Sequence, residues 1–126
     1  MSFKRQRTEE LLLSFLAVEV RKLADPRLEL ITLTAAEMSP DLKHATIYWS
    51  VLTLGAAPDA TGAEPAFPSD ARIHDIDDAL KGATYMLKRR IGSELELRYV
   101  PQLNFRYDSS FENASRIDTL VKKALS

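Results

Sequence analysis

Apolar residues near the start of the chain recur at helical spacing. Leu13, Leu16, Val20 and Leu23 fall three, four and three residues apart, and Leu12 and Phe15 widen the stripe. The spacing predicts a helix over residues 7–23, with Thr8 at its N-cap and Glu9 and Glu10 early, Arg21 and Lys22 late, as the helix dipole favours. Pro26 should close it, because a proline pushes the preceding Asp25 out of the helical region.

The period then changes to two. From Leu28 to Met38, Ile31, Leu33 and Ala35 share one face and Thr32 and Thr34 the other. Ser39-Pro40-Asp41 is turn chemistry. Beyond Lys43 the alternation is clean: Ala45, Ile47, Trp49 and Val51 against His44, Thr46, Tyr48 and Ser50. Two strands joined by a short turn predict an antiparallel pair with one buried face. Residues 55–69 hold two of the four glycines and three of the six prolines, and read as a surface loop.

Helical spacing returns with Ile73, Ile76, Leu80, Ala83 and Leu87, after a cap at Ser69 or Asp70. Gly82 lies inside this run and costs about 1 kcal/mol relative to alanine. The segment therefore reads as two helices or one bent helix, ending at Gly92. From Glu94 onward, Leu95, Leu97, Tyr99, Leu103, Phe105 and Tyr107 keep period two, with Pro101 marking an edge, a bulge or an interruption. Ser109 and Glu112 form a capping box before Ile117, Leu120, Val121 and Leu125, which predict a last helix. The order predicts one α+β domain over residues 1–126, its helices on one face of a three-stranded sheet.

Charge changes the picture locally. The chain of 126 residues is net −1, so whole-chain basicity gives no argument for nucleic acid. Between Lys81 and Arg106, however, six basic residues face two acidic ones, Glu94 and Glu96. Lys81, Lys88, Arg89, Arg90, Arg98 and Arg106 thus form a segregated set suited to phosphate contact, or a solvated face with local ion pairs. Lys4, Arg5 and Arg7 are either a second patch or a charged N-terminus. The chain has no cysteine, hence no thiolate metal site or disulfide, and no apolar run near the ~20 residues of a membrane span.

Other candidate chemistry is thin. His74, Asp75, Asp77 and Asp78 converge only as His74 with Asp77 and with Asp78, too few ligands for a closed metal site; acidic residues at a helix start explain them. His44 lies beside Tyr48 with no nucleophile placed by a motif. Trp49, Tyr99, Phe105 and Tyr107 are expected to fill the core rather than stack bases. Nothing here points to an enzyme.

Three short words occur in order along the chain: Asp25-Pro26-Arg27, Ser39-Pro40-Asp41-Leu42 with Ala45, and Arg98-x-x-Pro101-x-Leu103-x-Phe105-x-x-Asp108. Together they resemble the ribosome-binding factor A family over nearly the whole chain. The resemblance implies a KH-like fold of αββααβ order and a non-enzymatic, cytoplasmic, monomeric assembly factor without cofactor. Its implied partners are the free 30S ribosomal subunit and 16S rRNA. It further implies support for late subunit maturation and rRNA processing near the 5′-terminal helix. The family carries an Ala-x-Gly kink between two helices; here Gly82, Ala83, Thr84 and Tyr85 occupy that place, with the alanine kept and the following glycine absent. A KH backbone clamp needs Gly-x-x-Gly. Gly55, Gly62, Gly82 and Gly92 never fall three apart, so phosphate contact has to come from side chains. A protein–protein adaptor using the sheet edge near Pro101 or the loop around Phe67 is the other reading the residues allow.

Overall fold

The first helix, α1 (Phe3–Arg21), buries the expected stripe in part: Leu12, Leu16 and Val20 lie inside the core and Phe15 packs against it, whereas Leu13 is half-buried and Leu23 packs on the core from beyond the helix end. A computed structural model describes residues 3–51 and 68–110. Helix α1 begins ahead of Thr8, so Thr8 is not its cap; the Thr8 hydroxyl instead donates to the Lys4 carbonyl at 2.8 Å. The helix stops at Arg21, and the Lys22 and Leu23 amides bond back three residues to tighten its exit. Pro26 then opens a short 3-10 turn (Pro26–Leu28), capped by the Asp25 carboxylate, which accepts from the Arg27 amide at 2.9 Å and the Arg27 guanidinium at 2.8 Å.

Strands β1 (Ile31–Met38) and β2 (His44–Val51) pair antiparallel as the alternation predicts. One correction concerns β1. Leu33 pairs with Trp49 but Ala35 pairs with Tyr48, which leaves Thr34 as an extra residue. Because the side-chain period is two, that insertion moves every later residue to the opposite face. Ala35 is therefore exposed, and Ala36 and Met38 turn inward in its place. In the turn, the Ser39 hydroxyl and the Lys43 amide donate to Asp41, at 2.6 and 3.0 Å, while Leu42 adopts a left-handed φ of 62°. A leucine rarely takes that conformation. Its amide bond to the Ser39 carbonyl (2.9 Å) and its side-chain packing against the core hold it there.

Helix α2 (Asp70–Glu94) is capped by Ser69, whose hydroxyl accepts from the Arg72 amide at 3.2 Å. Of the two readings of this segment, one continuous helix is what forms. Gly82, Ala83, Thr84 and Tyr85 all lie inside it, and the Thr84 hydroxyl donates to the Leu80 carbonyl at 2.9 Å. Burial of Ile76, Ala79, Leu80, Leu87 and Ile91 on both sides of Gly82 outweighs the glycine's cost of about 1 kcal/mol. Nothing in the described structure lies within 4 Å of a Cβ built on Gly82. Gly82→Ala should therefore raise unfolding free energy by about 0.5–1 kcal/mol, read as a higher denaturation midpoint.

The helix does not end at Gly92. It runs on to Glu94, and the Leu95 amide closes it on the Ile91 carbonyl at 2.9 Å. A Cβ at Gly92 would meet the exposed Val100 side chain at 3.4 Å, an ordinary van der Waals contact. The strand expected from Glu94 is also shorter. Pro101 has no amide to donate, and the ladder starts with the Gln102 amide on the Lys43 carbonyl at 2.8 Å. Strand β3 (Gln102–Tyr107) is thus the edge of a sheet ordered β1-β2-β3.

Strand β3 runs parallel to β2, a pairing that needs a crossover, here provided by α2. The register sets Ala45 beside Leu103 and Ile47 beside Phe105 on the inner face, and His44 beside Gln102 and Tyr48 beside Arg106 on the outer one. Both helices pack on the inner face, where Trp49 meets Tyr107 edge-on at 5.1 Å. The Glu9 carboxylate of α1 accepts from the Met38 amide at 2.6 Å, fixing α1 over the end of β1. Residues 55–67 of the expected loop, and the last helix beyond Ser110, lie outside the described residues.

Candidate nucleic-acid interface

The six cations of the Lys81–Arg106 stretch do not behave as one patch. Lys81 is engaged with Asp77 one helical turn back, at 2.9 Å. Arg90 reaches across to α1: its Nε lies 3.4 Å from Glu19, and a terminal nitrogen lies 3.3 Å from Glu94. Glu19 is only 7% exposed and also receives Lys22 at 3.4 Å. Burial pushes the Glu19 carboxyl up, but hydrogen bonds from Arg90 and Lys22, and then their charges, more than reverse this and hold it below its ordinary value. Arg90 is thereby a tie between the two helices.

Lys88 and Arg89 point elsewhere. The Lys88 ammonium donates to the Gln102 side chain at 3.3 Å, so it stands over the start of β3. The Arg89 guanidinium lies 6.0 Å from the centre of the exposed Tyr85 ring. Gln102 bonds through its amide to Lys43, whose ammonium lies 5.4 Å from the centre of the Tyr99 ring. The Arg98 guanidinium lies at the same 5.4 Å from that ring. Arg98 and Tyr99 in turn line a groove of about 780 Å³ together with Lys4 and Arg7 of α1. The result is a connected band: Arg89 and Lys88, then Lys43 with Arg98 around Tyr99, then Lys4 and Arg7. Arg106 sits apart, four residues along β3 and about 13 Å away by strand rise, at a second cavity with Asp70, His74 and Asp77.

Two members of this band, Lys43 and Tyr99, are absent from the sequence-based set. Period two places Tyr99 in the core with Trp49 and Phe105; those two are buried, whereas Tyr99 is 44% exposed. The segment Leu95–Pro101 is not strand, so period two does not govern which way Tyr99 faces. Lys43 joins the set only through the parallel pairing of β2 and β3, and no local motif announces that. His74 pairs with Asp78 at 3.3 Å and Asp77 turns to Lys81. Among the described residues no three potential ligands converge on a metal, and no helix is long and apolar enough to cross a membrane.

At the far end of the sheet, Asp108 accepts from the Ser110 hydroxyl, the Thr34 hydroxyl at 2.7 Å and the Ser110 amide at 3.0 Å, which hold its carboxyl below the ordinary value in that order of effect. Both Glu19 and Asp108 have folded-state values depressed below the unfolded ones. Their stabilisation is therefore complete above the ordinary carboxylate value of about 4 and is lost as pH falls through the folded values. Denaturation midpoints should hold down to roughly pH 5 and fall below roughly pH 4, with a shallower fall in Glu19→Gln and Asp108→Asn.

Comparison with known proteins agrees with this architecture. The family model for ribosome-binding factor A matches residues 4–121. A ribosome-binding factor A from Geobacter sulfurreducens is 38% identical over 104 residues, covering 82% of this chain and 75% of the relative. The crystal structure of ribosome-binding factor A from Thermus thermophilus superposes with a TM-score of 0.64 at 24% identity, over 82% of this chain and 94% of that one. A Thermus thermophilus ribosome-binding factor A homology model, fitted into a cryo-EM map of a 30S complex, matches at a TM-score of 0.57 and 23% identity, over 80% and 91%. The helices on one sheet face, with no Gly-x-x-Gly in the sequence, are the KH-like α+β arrangement of these proteins. On the family match and the fold together, the chain belongs to the ribosome-binding factor A family.

Proposed function

We propose that this chain, as a monomeric single domain over residues 1–126 in the cytoplasm, binds free 30S ribosomal subunits during late maturation. It docks on 16S rRNA near the 5′-terminal helix and assists its processing without catalysing a reaction itself. The observation that carries this reading is the connected band of Lys88, Arg89, Lys43 and Arg98 at one end of the sheet. With no Gly-x-x-Gly loop to bring backbone amides to phosphate, these side chains make the contacts, and they position the protein without reading sequence. Lys81 and Arg106 contribute at the margins and Arg90 through its hold on α1. A Thermus thermophilus relative fitted into a 30S complex supports the choice of partner. A factor that binds one subunit conformation better than another shifts maturation by that difference in affinity.

Sedimentation tests the reading. The protein should pellet with free small subunits and not with assembled ribosomes, and added salt should release it. Equal pelleting with both, or capture only from RNase-treated, rRNA-free lysate, would count against it.

A further inference from the structure

Tyr99 stands out among the exposed aromatics. The residue is 44% exposed, and two cations, Lys43 and Arg98, lie over its ring, each 5.4 Å from the centre. It lines a groove whose other walls are the first turns of α1, the β1–β2 turn and the segment before β3. The groove volume of about 780 Å³ falls in the roughly 300–1,000 Å³ range of sites that take a molecule of nucleotide size. Its floor is apolar: Leu42 and Leu97 pack against the core behind it, and Leu11 is exposed beside it. Its rim carries Lys4, Arg7 and Arg98, with Lys43 at the ring. Two carboxylates stand there against four cations: Glu96, and Asp41, whose oxygens the Ser39 hydroxyl and the Lys43 amide bond in the turn without cancelling its charge.

We infer that this groove takes an unpaired RNA nucleotide, its base stacked on Tyr99 and its flanking phosphates held by Lys43, Arg98, Lys4 and Arg7. The inference rests on the rRNA-binding reading and names the kind of RNA feature that reading engages: a splayed-out single-stranded base rather than a duplex. The chemistry favours it on three counts. An aromatic face accepts any base, consistent with contact that does not read sequence. Lys43 and Arg98 lie over the ring on long, flexible side chains, and an incoming base that displaces one from the ring face leaves it within reach of the flanking phosphates. A paired base has both faces stacked within its helix and cannot reach an aromatic ring, so only an unpaired one fits.

The test compares the parent protein with Tyr99→Leu and Tyr99→Trp. The probes are a single-stranded RNA of roughly ten nucleotides, the same RNA in duplex form, and purified free small subunits. Tyr99→Leu should lose about tenfold in affinity for the single strand and for the subunit, with the duplex unaffected. Tyr99→Trp should match or exceed the parent on the single strand, with its indole fluorescence quenched on binding. Unchanged single-strand affinity in Tyr99→Leu, or an equal loss on single strand and duplex, would overturn stacking. A variant with both Lys88→Glu and Arg89→Glu separates the two readings. If it weakens subunit binding while Tyr99→Leu does not, stacking fails and the rRNA reading stands. If neither variant weakens it, both fail. Equal thermal melts for the parent and the Tyr99 variants confirm that the fold is not what changed.

Discussion

A protein carrying both Lys88→Glu and Arg89→Glu binds free small ribosomal subunits on the order of a hundredfold more weakly near physiological salt, and melts as the parent does. Two cations facing phosphate are lost and two anions take their place, so attraction is replaced by repulsion at the same points. The fold is spared because both side chains work outward. Among the described residues, Arg89 lies against the exposed Tyr85 ring and Lys88 gives up an exposed hydrogen bond to Gln102. Surface changes of that kind move stability by about 0.5 kcal/mol or less. Arg90 behaves differently even though it is the next residue. Arg90→Glu would set a third carboxylate beside Glu19 and Glu94 and cost about 1–2 kcal/mol, a figure reduced for the 42% exposure of the arginine side chain. Equilibrium binding and urea titration of the two variants separate these effects: affinity falls without stability in the first, and stability falls in the second.

Leu80→Ala costs about 2–5 kcal/mol of unfolding free energy, read from a urea titration. Leu80 is fully buried in the cluster that joins α2 to the sheet, and truncation leaves a cavity among side chains that cannot all move in. Two residues away, Gly82→Ala acts with the opposite sign, because the Cβ it adds meets nothing within 4 Å among the described residues, on the exposed side of the same helix. That pair of outcomes follows only if α2 runs unbroken through Gly82 with Leu80 facing inward. A helix broken at Gly82 would lose stability with alanine there, since the break would need the glycine.

The elements legible from the residues are those whose signal is local. The α1 stripe, the alternation of β2, the Ser39-Pro40-Asp41 turn and the Ser69 cap each depend on neighbours in sequence, and each is found. The features that escape depend on distant partners. Thr34 becomes a bulge only because β2 runs past it in a shifted register, with the Asp108 carboxylate accepting its hydroxyl. The helix through Gly82 survives because tertiary burial on either side exceeds a local cost of about 1 kcal/mol. The candidate interface is half legible. Lys88, Arg89 and Arg98 stand out by charge. That Arg90 is taken up by Glu19, and that Lys43 and Tyr99 join the band, are consequences of α1 meeting α2 and of β3 lying parallel to β2.

The salt dependence of subunit binding tests the central claim most directly. If Lys88 and Arg89 each neutralise a phosphate, the slope of log affinity against log salt in the parent is steeper than in the double glutamate variant by about 1.5. The two lines converge at high salt, where the displaced counterions no longer favour either protein. Parallel lines with the same slope would contradict the claim, and would mean that these side chains do not face the RNA backbone.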